Sequence, residues 1–129
     1  MRDKLNHLSG LSGAQLEIMS VIWTRGEATV TEVWEKINRR RPVARTTIMT
    51  LMSRLEEKGW LKHREVTPTY IYSATRSKEQ SVGEIISGVV DKVFAGSTEN
   101  LVMSLLDQKK VSRKELARLR EIIKEAERR

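Results

Sequence analysis

Three threonines, a serine and two arginines lie along Arg45-Thr46-Thr47-Ile48-Met49-Thr50-Leu51-Met52-Ser53-Arg54-Leu55-Glu56-Glu57-Lys58-Gly59 at spacings that set them apart from the apolar residues of the same stretch. At about 100° per residue, Ile48, Leu51, Met52 and Leu55 form one helical stripe. Thr46, Thr50 and Ser53 are centred opposite, flanked by Thr47, Met49 and Arg54. A merely solvated helix face favours Glu, Lys and Gln, so three β-branched Thr within this turn and a half call for another use. Short hydroxyl side chains that let a helix approach base edges, beside guanidinium groups that hold phosphates, are such a use.

The expected chemistry is therefore recognition of a polyanion. Arg45 sits at the helix start, where free backbone N–H groups and the helix dipole also favour a phosphate; its plainer role is a solvated charge or a salt bridge to a neighbouring carboxylate. Thr46, Thr47 and Thr50 offer hydroxyls to phosphates or bases and methyls to thymine, and one of them could instead cap the helix. Met49 fits helix-edge packing as well as contact with a thymine methyl. Arg54, further along, suits the DNA backbone better than a base.

Catalytic chemistry finds no foothold. There is no cysteine, so thiol catalysis, thiolate metal sites and disulfides are all excluded. His7 and His63 are too isolated for a metal site or a triad, no glycine-rich phosphate loop is present, and Glu32, Glu56, Glu57 and Glu115 fall at capping or surface positions. The expectation is a protein that is not an enzyme and uses neither metal nor cofactor.

Charge has a location. The chain of 129 residues carries a formal net charge of +7. Residues 39 to 64 hold eight basic side chains (Arg39, Arg40, Arg41, Arg45, Arg54, Lys58, Lys62 and Arg64) against Glu56 and Glu57, a local balance of +6. No apolar run approaches membrane-spanning length, and the N-terminus has no signal-peptide core, so a soluble, cytoplasmic protein without membrane contact is expected.

The elements that must position these residues follow from caps and periods. Ser12 with Gln15 and Thr29 with Glu32 carry capping-box signatures, opening helices with Leu16, Ile18, Met19, Ile22 and Trp23, then with Val33, Trp34 and Ile37. Pro42 stops the second, and the Thr-rich helix runs from about Arg45 to Lys58, closing at Gly59. Leu61–Glu65 and Thr69–Ser73 then read as two strands around Val66-Thr67-Pro68, with Lys62 and Arg64 on one face as candidate phosphate clamps and His63 on the other. Three helices and a hairpin with a basic third helix have the order of a winged helix-turn-helix. Beyond Ala74 to Lys78, the nearest thing to a linker, only helices are expected, opened by Ser77, Ser97 and Ser112. Their apolar stripes contain Val82, Ile85, Ile86, Val89, Val90, Val93 and Phe94, then Leu101 and Leu105, then Leu119, Ile122 and Ile123. So small a unit cannot hide that much apolar surface within itself, which predicts a partner chain. The fold class is thus mostly α with a small β-hairpin wing, divided into a winged-helix DNA-binding domain over 1–76 and a three-helix dimerisation domain over 77–129.

These residues resemble the BlaI/MecI/CopY type of bacterial winged-helix repressors, which includes the penicillinase repressors. The resemblance rests on Glu17-Ile18-Met19 with Ile22-Trp23, on Thr46-Thr47-Ile48-Met49-Thr50-Leu51 with Arg54-Leu55 and Lys58-Gly59, and on Tyr70-Ile71-Tyr72. It continues from Phe94-Ala95-Gly96-Ser97 through Leu105-Leu106 to Ser112-Arg113-Lys114-Glu115-Leu116. It implies a homodimer held by the C-terminal helices that binds palindromic, double-stranded operator DNA and blocks transcription. It also brings in a regulatory protease or sensor as a partner. The penicillinase repressors are inactivated by cleavage at an Asn-Phe bond, and the matching position here reads Ser104-Leu105. The cysteine motif of the copper-responsive branch is missing. Leu16 and Val43 stand where many members have Trp, which implies repacking of the same fold. The alternative reading is a winged-helix adaptor that binds protein and has no specific DNA target.

Overall fold

Both capping boxes form as the sequence predicts. In the computed structural model, which describes residues 10–108 and 110–129, the Gln15 backbone N–H donates to Ser12 Oγ at 3.1 Å and the Ser12 N–H donates back to Gln15 Oε1 at 3.0 Å. Thr29 and Glu32 repeat the exchange at 3.1 and 2.9 Å. Each box satisfies N–H groups that a helix start otherwise leaves open. They begin α1 (Gly13–Arg25) and α2 (Val30–Asn38). The expected third helix follows as α3 (Arg45–Glu57), then β2 (Leu61–Val66) and β3 (Thr69–Ala74). A short strand between the first two helices, β1 (Glu27–Ala28), is an addition to the expected elements: two residues are too few to show a period. His7 and most of the N-terminal segment lie outside the described residues.

The sheet order is β1-β3-β2, antiparallel throughout. Its register pairs His63 with Tyr72 and Arg64 with Ile71 across β2 and β3, and Ala28 with Tyr72 across β1 and β3. Residues paired in this way share a face of the sheet. Leu61, Tyr72 and Ala28 on one face are buried with Ile18, Met19, Ile22, Val33, Ile37, Ile48, Met52 and Leu55 from the three helices. Leu16 and Val43, the two positions of expected repacking, lie at the edge of this core. Removing a side chain such as Met52 from it costs about 2–5 kcal/mol.

Loops are pinned to the core by tryptophans. Trp34 Nε1 donates to the Val43 carbonyl at 2.7 Å, and Trp23 Nε1 to the Arg76 carbonyl at 3.0 Å. The Arg76 guanidinium lies 4.6 Å from the centre of the Trp60 ring. Ser81, buried, donates from Oγ to the Ser77 carbonyl at 2.8 Å. The segment from Ala74 to Lys78 is therefore fastened rather than free. The first compact unit accordingly runs to Ser87, inside α4 (Lys78–Val93), and the second from Gly88 to Arg129.

In the second unit, α4 ends in a tight exit in which Ala95 and Gly96 both take positive φ, 50° and 82°. Ser97 then caps α5 (Thr98–Asp107) and Ser112 caps α6 (Arg113–Glu127), each accepting an N–H three residues on. Neither α5 nor α6 buries a side chain completely.

Candidate nucleic-acid interface

On α3 the apolar stripe faces inward, with Ile48, Met52 and Leu55 buried and Leu51 half-buried. Every remaining candidate on the helix is exposed: Arg45, Thr46, Thr47, Met49, Thr50 and Arg54. Ala44 takes the cap position with no side-chain hydrogen bond, so none of the threonines is used as the cap. The Thr50 hydroxyl donates to the Thr46 carbonyl at 3.0 Å.

The structure divides these residues into two neighbouring stripes. Arg45, Met49 and Ser53, four residues apart, line an open groove of about 670 Å³ between α3 and the wing. Thr29, Val30 and Thr31 at the start of α2 form one wall, and Glu65, Thr67 to Tyr70 and Tyr72 form the other. Thr46, Thr50, Thr47 and Arg54 continue the same arc around the outer side of the helix. Thr31, Ser53, Tyr70 and Tyr72 join the expected site residues here. Ser53 is legible in the helical period. Thr31 is not, because only the packing of α2 against α3 brings it near.

Several cations of the basic stretch already have partners. Arg45 Nε donates to the Thr31 hydroxyl at 2.9 Å, and its exposed charge has no ion-pair partner among the described residues. Arg41 and Arg40 lie 2.7 and 3.8 Å from the two Glu17 oxygens, and Lys58 Nζ donates to the Gly10 carbonyl at 2.8 Å. Arg64 Nη2 donates to Glu27 Oε1 at 3.1 Å, across the central strand. Arg54 and Lys62 have no ion-pair partner among the described residues. Lys62 and Arg64 share the sheet face opposite to His63, Tyr70 and Tyr72, so they are not brought together with the α3 candidates. Burial pushes the Tyr72 phenol up, with the Glu56 carboxylate and Tyr70 adding to the effect.

The residues expected at a dimer seam are incompletely covered. Ile86, Val93, Leu105, Ile122 and Ile123 are exposed, the last two by 62% and 55%. Val82, Ile85, Val89, Val90, Phe94, Leu101 and Leu119 are half-buried. Ser104 and Leu105 lie within α5, Ser104 half-buried and Leu105 exposed. Among the described residues no helix is long and apolar enough to cross a membrane, and no three acidic or histidine side chains converge as a metal site would require.

Comparison with known proteins gives a consistent picture. The family model described as penicillinase repressor matches residues 11–125. The methicillin resistance regulatory protein MecI of Mammaliicoccus sciuri is 26% identical over 113 residues, spanning 88% of this chain and 92% of MecI. The penicillinase repressor of Staphylococcus aureus is 25% identical over 113 residues, 88% of this chain and 90% of its own length. Among solved structures, the DNA-binding domain of the repressor BlaI superposes with a TM-score of 0.51 at 28% identity, over 55% of this chain and 87% of that domain. A mutant MarR from E. coli, solved in complex with operator DNA, gives a TM-score of 0.53 at 16% identity over 97% of this chain and 84% of MarR, a likeness of fold alone.

Proposed function

This chain belongs to the penicillinase repressor family, whose members regulate transcription and are not enzymes, and on that premise we propose that it represses by binding double-stranded operator DNA as a homodimer. Residues 1–76 bind DNA, and residues 77–129 hold the dimer. The observation that carries this reading is the outer arc of α3, where Thr46, Thr47 and Thr50 stand exposed beside an Arg54 that no carboxylate among the described residues neutralises.

α3 enters the major groove with the three threonines toward base edges and Arg54 on the backbone. Because the Thr50 proton is held by the Thr46 carbonyl, Thr50 meets DNA as an acceptor and a methyl group. It suits an adenine or cytosine amino group or a thymine methyl better than a phosphate oxygen. Arg45 keeps its full charge while bonded to a neutral hydroxyl, so it holds a phosphate at the groove edge, with Met49 beside it. Lys62 takes a flanking phosphate directly, and Arg64 does so by giving up Glu27.

A second copy covers the apolar side chains of α4, α5 and α6, and its two-fold symmetry makes the operator palindromic, with reading helices about one DNA turn, ~34 Å, apart or a multiple of it. The cytoplasm, where the operator is, is the place of action. Release by cleavage at an Asn-Phe bond has no matching pair in this chain, which reads Ser104-Leu105 at that position, so the inducing signal is a separate question from the DNA reading. These 129 residues supply no thiolate that could sense copper.

The test is binding to DNA from around the protein's own gene at several salt concentrations, followed by footprinting. Affinity should fall with a log–log slope of about 0.9 per phosphate neutralised. Absence of salt-sensitive binding would overturn this reading in favour of the protein adaptor.

A further inference from the structure

His63 stands where the wing meets α3, and it is held from two sides. Its Nδ1 lies 2.8 and 2.7 Å from the two carboxylate oxygens of Glu56, in the last turn of α3. A nitrogen facing both oxygens of a carboxylate must carry the proton, so Nδ1–H is the donor. The ring stacks on Tyr70, with centroids 4.2 Å apart and planes 17° from parallel, and touches Tyr72 at 5.5 Å. Tyr70 and His63 are diagonal neighbours on β3 and β2, a spacing that aromatic rings can bridge.

The chain between α3 and β2 supplies little stiffness of its own. Lys58 ends the helix, and Gly59 follows with φ +86°, a conformation open to glycine because it lacks a Cβ. At the base of the wing Trp60 N donates to the Leu55 carbonyl at 2.9 Å and Thr75 N to the Trp60 carbonyl at 3.0 Å, while β1 holds the hairpin from its other side through its pairing with β3 and the Arg64–Glu27 hydrogen bond. Further out, β2 is exposed from Lys62 to Val66. Glu56, His63 and Tyr70 form the one ring-and-carboxylate link from α3 to this outer part of the hairpin among the described residues.

We propose that His63 is a positioning residue for DNA binding: clamped by Glu56 and stacked on Tyr70, it fixes the angle of the wing to the reading helix. It touches no DNA itself. Its ring lies on the α3 side of the sheet, so its effect reaches Lys62 and Arg64 only through the strand that carries all three. With the clamp closed, the wing is held ready for the flanking phosphates and need not be ordered on binding.

The inference rests on α3 and the wing binding DNA, and its test separates the two. Wild-type protein, His63→Ala, Glu56→Gln and Tyr70→Phe are titrated with operator DNA at several salt concentrations and footprinted with hydroxyl radicals. His63→Ala should lower affinity roughly three- to five-fold and reduce the salt slope by about one phosphate contact, erasing flanking protection while leaving the central α3 protection in place. Tyr70→Phe keeps the stack and should keep the wild-type pattern of flanking protection, whatever its hydroxyl adds to affinity at the groove. Glu56→Gln keeps an oxygen that accepts from Nδ1–H and should recover most of the flanking protection. A His63→Ala variant with wild-type slope and footprint overturns the positioning role. Loss spread evenly over central and flanking protection also overturns it, since that marks general damage to the fold. Absence of salt-sensitive binding by the wild-type protein would instead bring down the DNA-binding reading itself.

Discussion

The Thr50 hydroxyl donates to the Thr46 carbonyl oxygen one turn back, at 3.0 Å, so the helix takes the proton that the side chain would otherwise offer outward. What remains toward DNA is an oxygen lone pair and a methyl group. Thr50→Val keeps the shape and methyl but removes the acceptor, whereas Thr50→Ser keeps the acceptor and removes the methyl. Each should change the preferred base pair at one position per half-site, with discrimination there altered by about 1–3 kcal/mol. Measuring affinity for every single-base variant of the operator checks this. Equal losses on cognate and scrambled DNA would remove Thr50 from the reading set.

Arg54 should behave differently. With no ion-pair partner among the described residues, it is free to neutralise a phosphate. Arg54→Ala should weaken binding to all sequences alike and lower the salt slope by about 0.9. A change in sequence preference with an unchanged slope would mean that the guanidinium meets bases instead.

Ile86 is 49% exposed on α4, in line with the apolar residues assigned to the seam. Ile86→Asp sets a carboxylate there, and burying it unpaired in a dimer costs several kcal/mol. Sedimentation should find a monomer, with operator affinity reduced alongside. An unchanged dimer would move the seam to other residues, Ile122 and Ile123 first among them.

Glu32 gives a pH signature. The Thr29 backbone N–H holds its carboxyl below the usual carboxylate range, partial burial opposes this, and the Thr29 hydroxyl and Arg25 lower it further. A carboxylate depressed by folding stabilises the protein above its unfolded value, and that stability is lost as pH falls through the folded value. Gln at this position still accepts from the Thr29 N–H but carries no charge. Urea denaturation should therefore find Glu32→Gln less stable than wild type by a few tenths of a kcal/mol at neutral pH, because Arg25 and Glu32 are both about 40% exposed. The gap should close as pH falls from the ordinary carboxylate range through the lowered folded value. A gap constant with pH would assign the effect to packing.

What the sequence disclosed depended on how local each feature is. Caps at Ser12, Thr29, Ser97 and Ser112 involve residues three apart, and the inward stripe of α3 repeats every turn, so both could be read directly. β1 could not, because its pairing of Glu27 with Ser73 joins residues far apart in the chain. The same limit hid the state of the basic side chains. Arg64 reads as a free clamp until the sheet sets it on the same face as Glu27, across the central strand, and Arg45 reads as unpartnered until α2 brings Thr31 to it. His63 looks isolated in sequence because its partners, Glu56 and Tyr70, converge only when the hairpin folds back along α3.

Ile122 and Ile123 carry one more consequence. More than half exposed in a single chain, they gain their shelter from a second copy on the proposed dimer reading, so stability and operator occupancy both become functions of how many copies a cell contains. Dilution by growth and division would then loosen repression by itself, and the promoter would respond to copy number more steeply than in simple proportion.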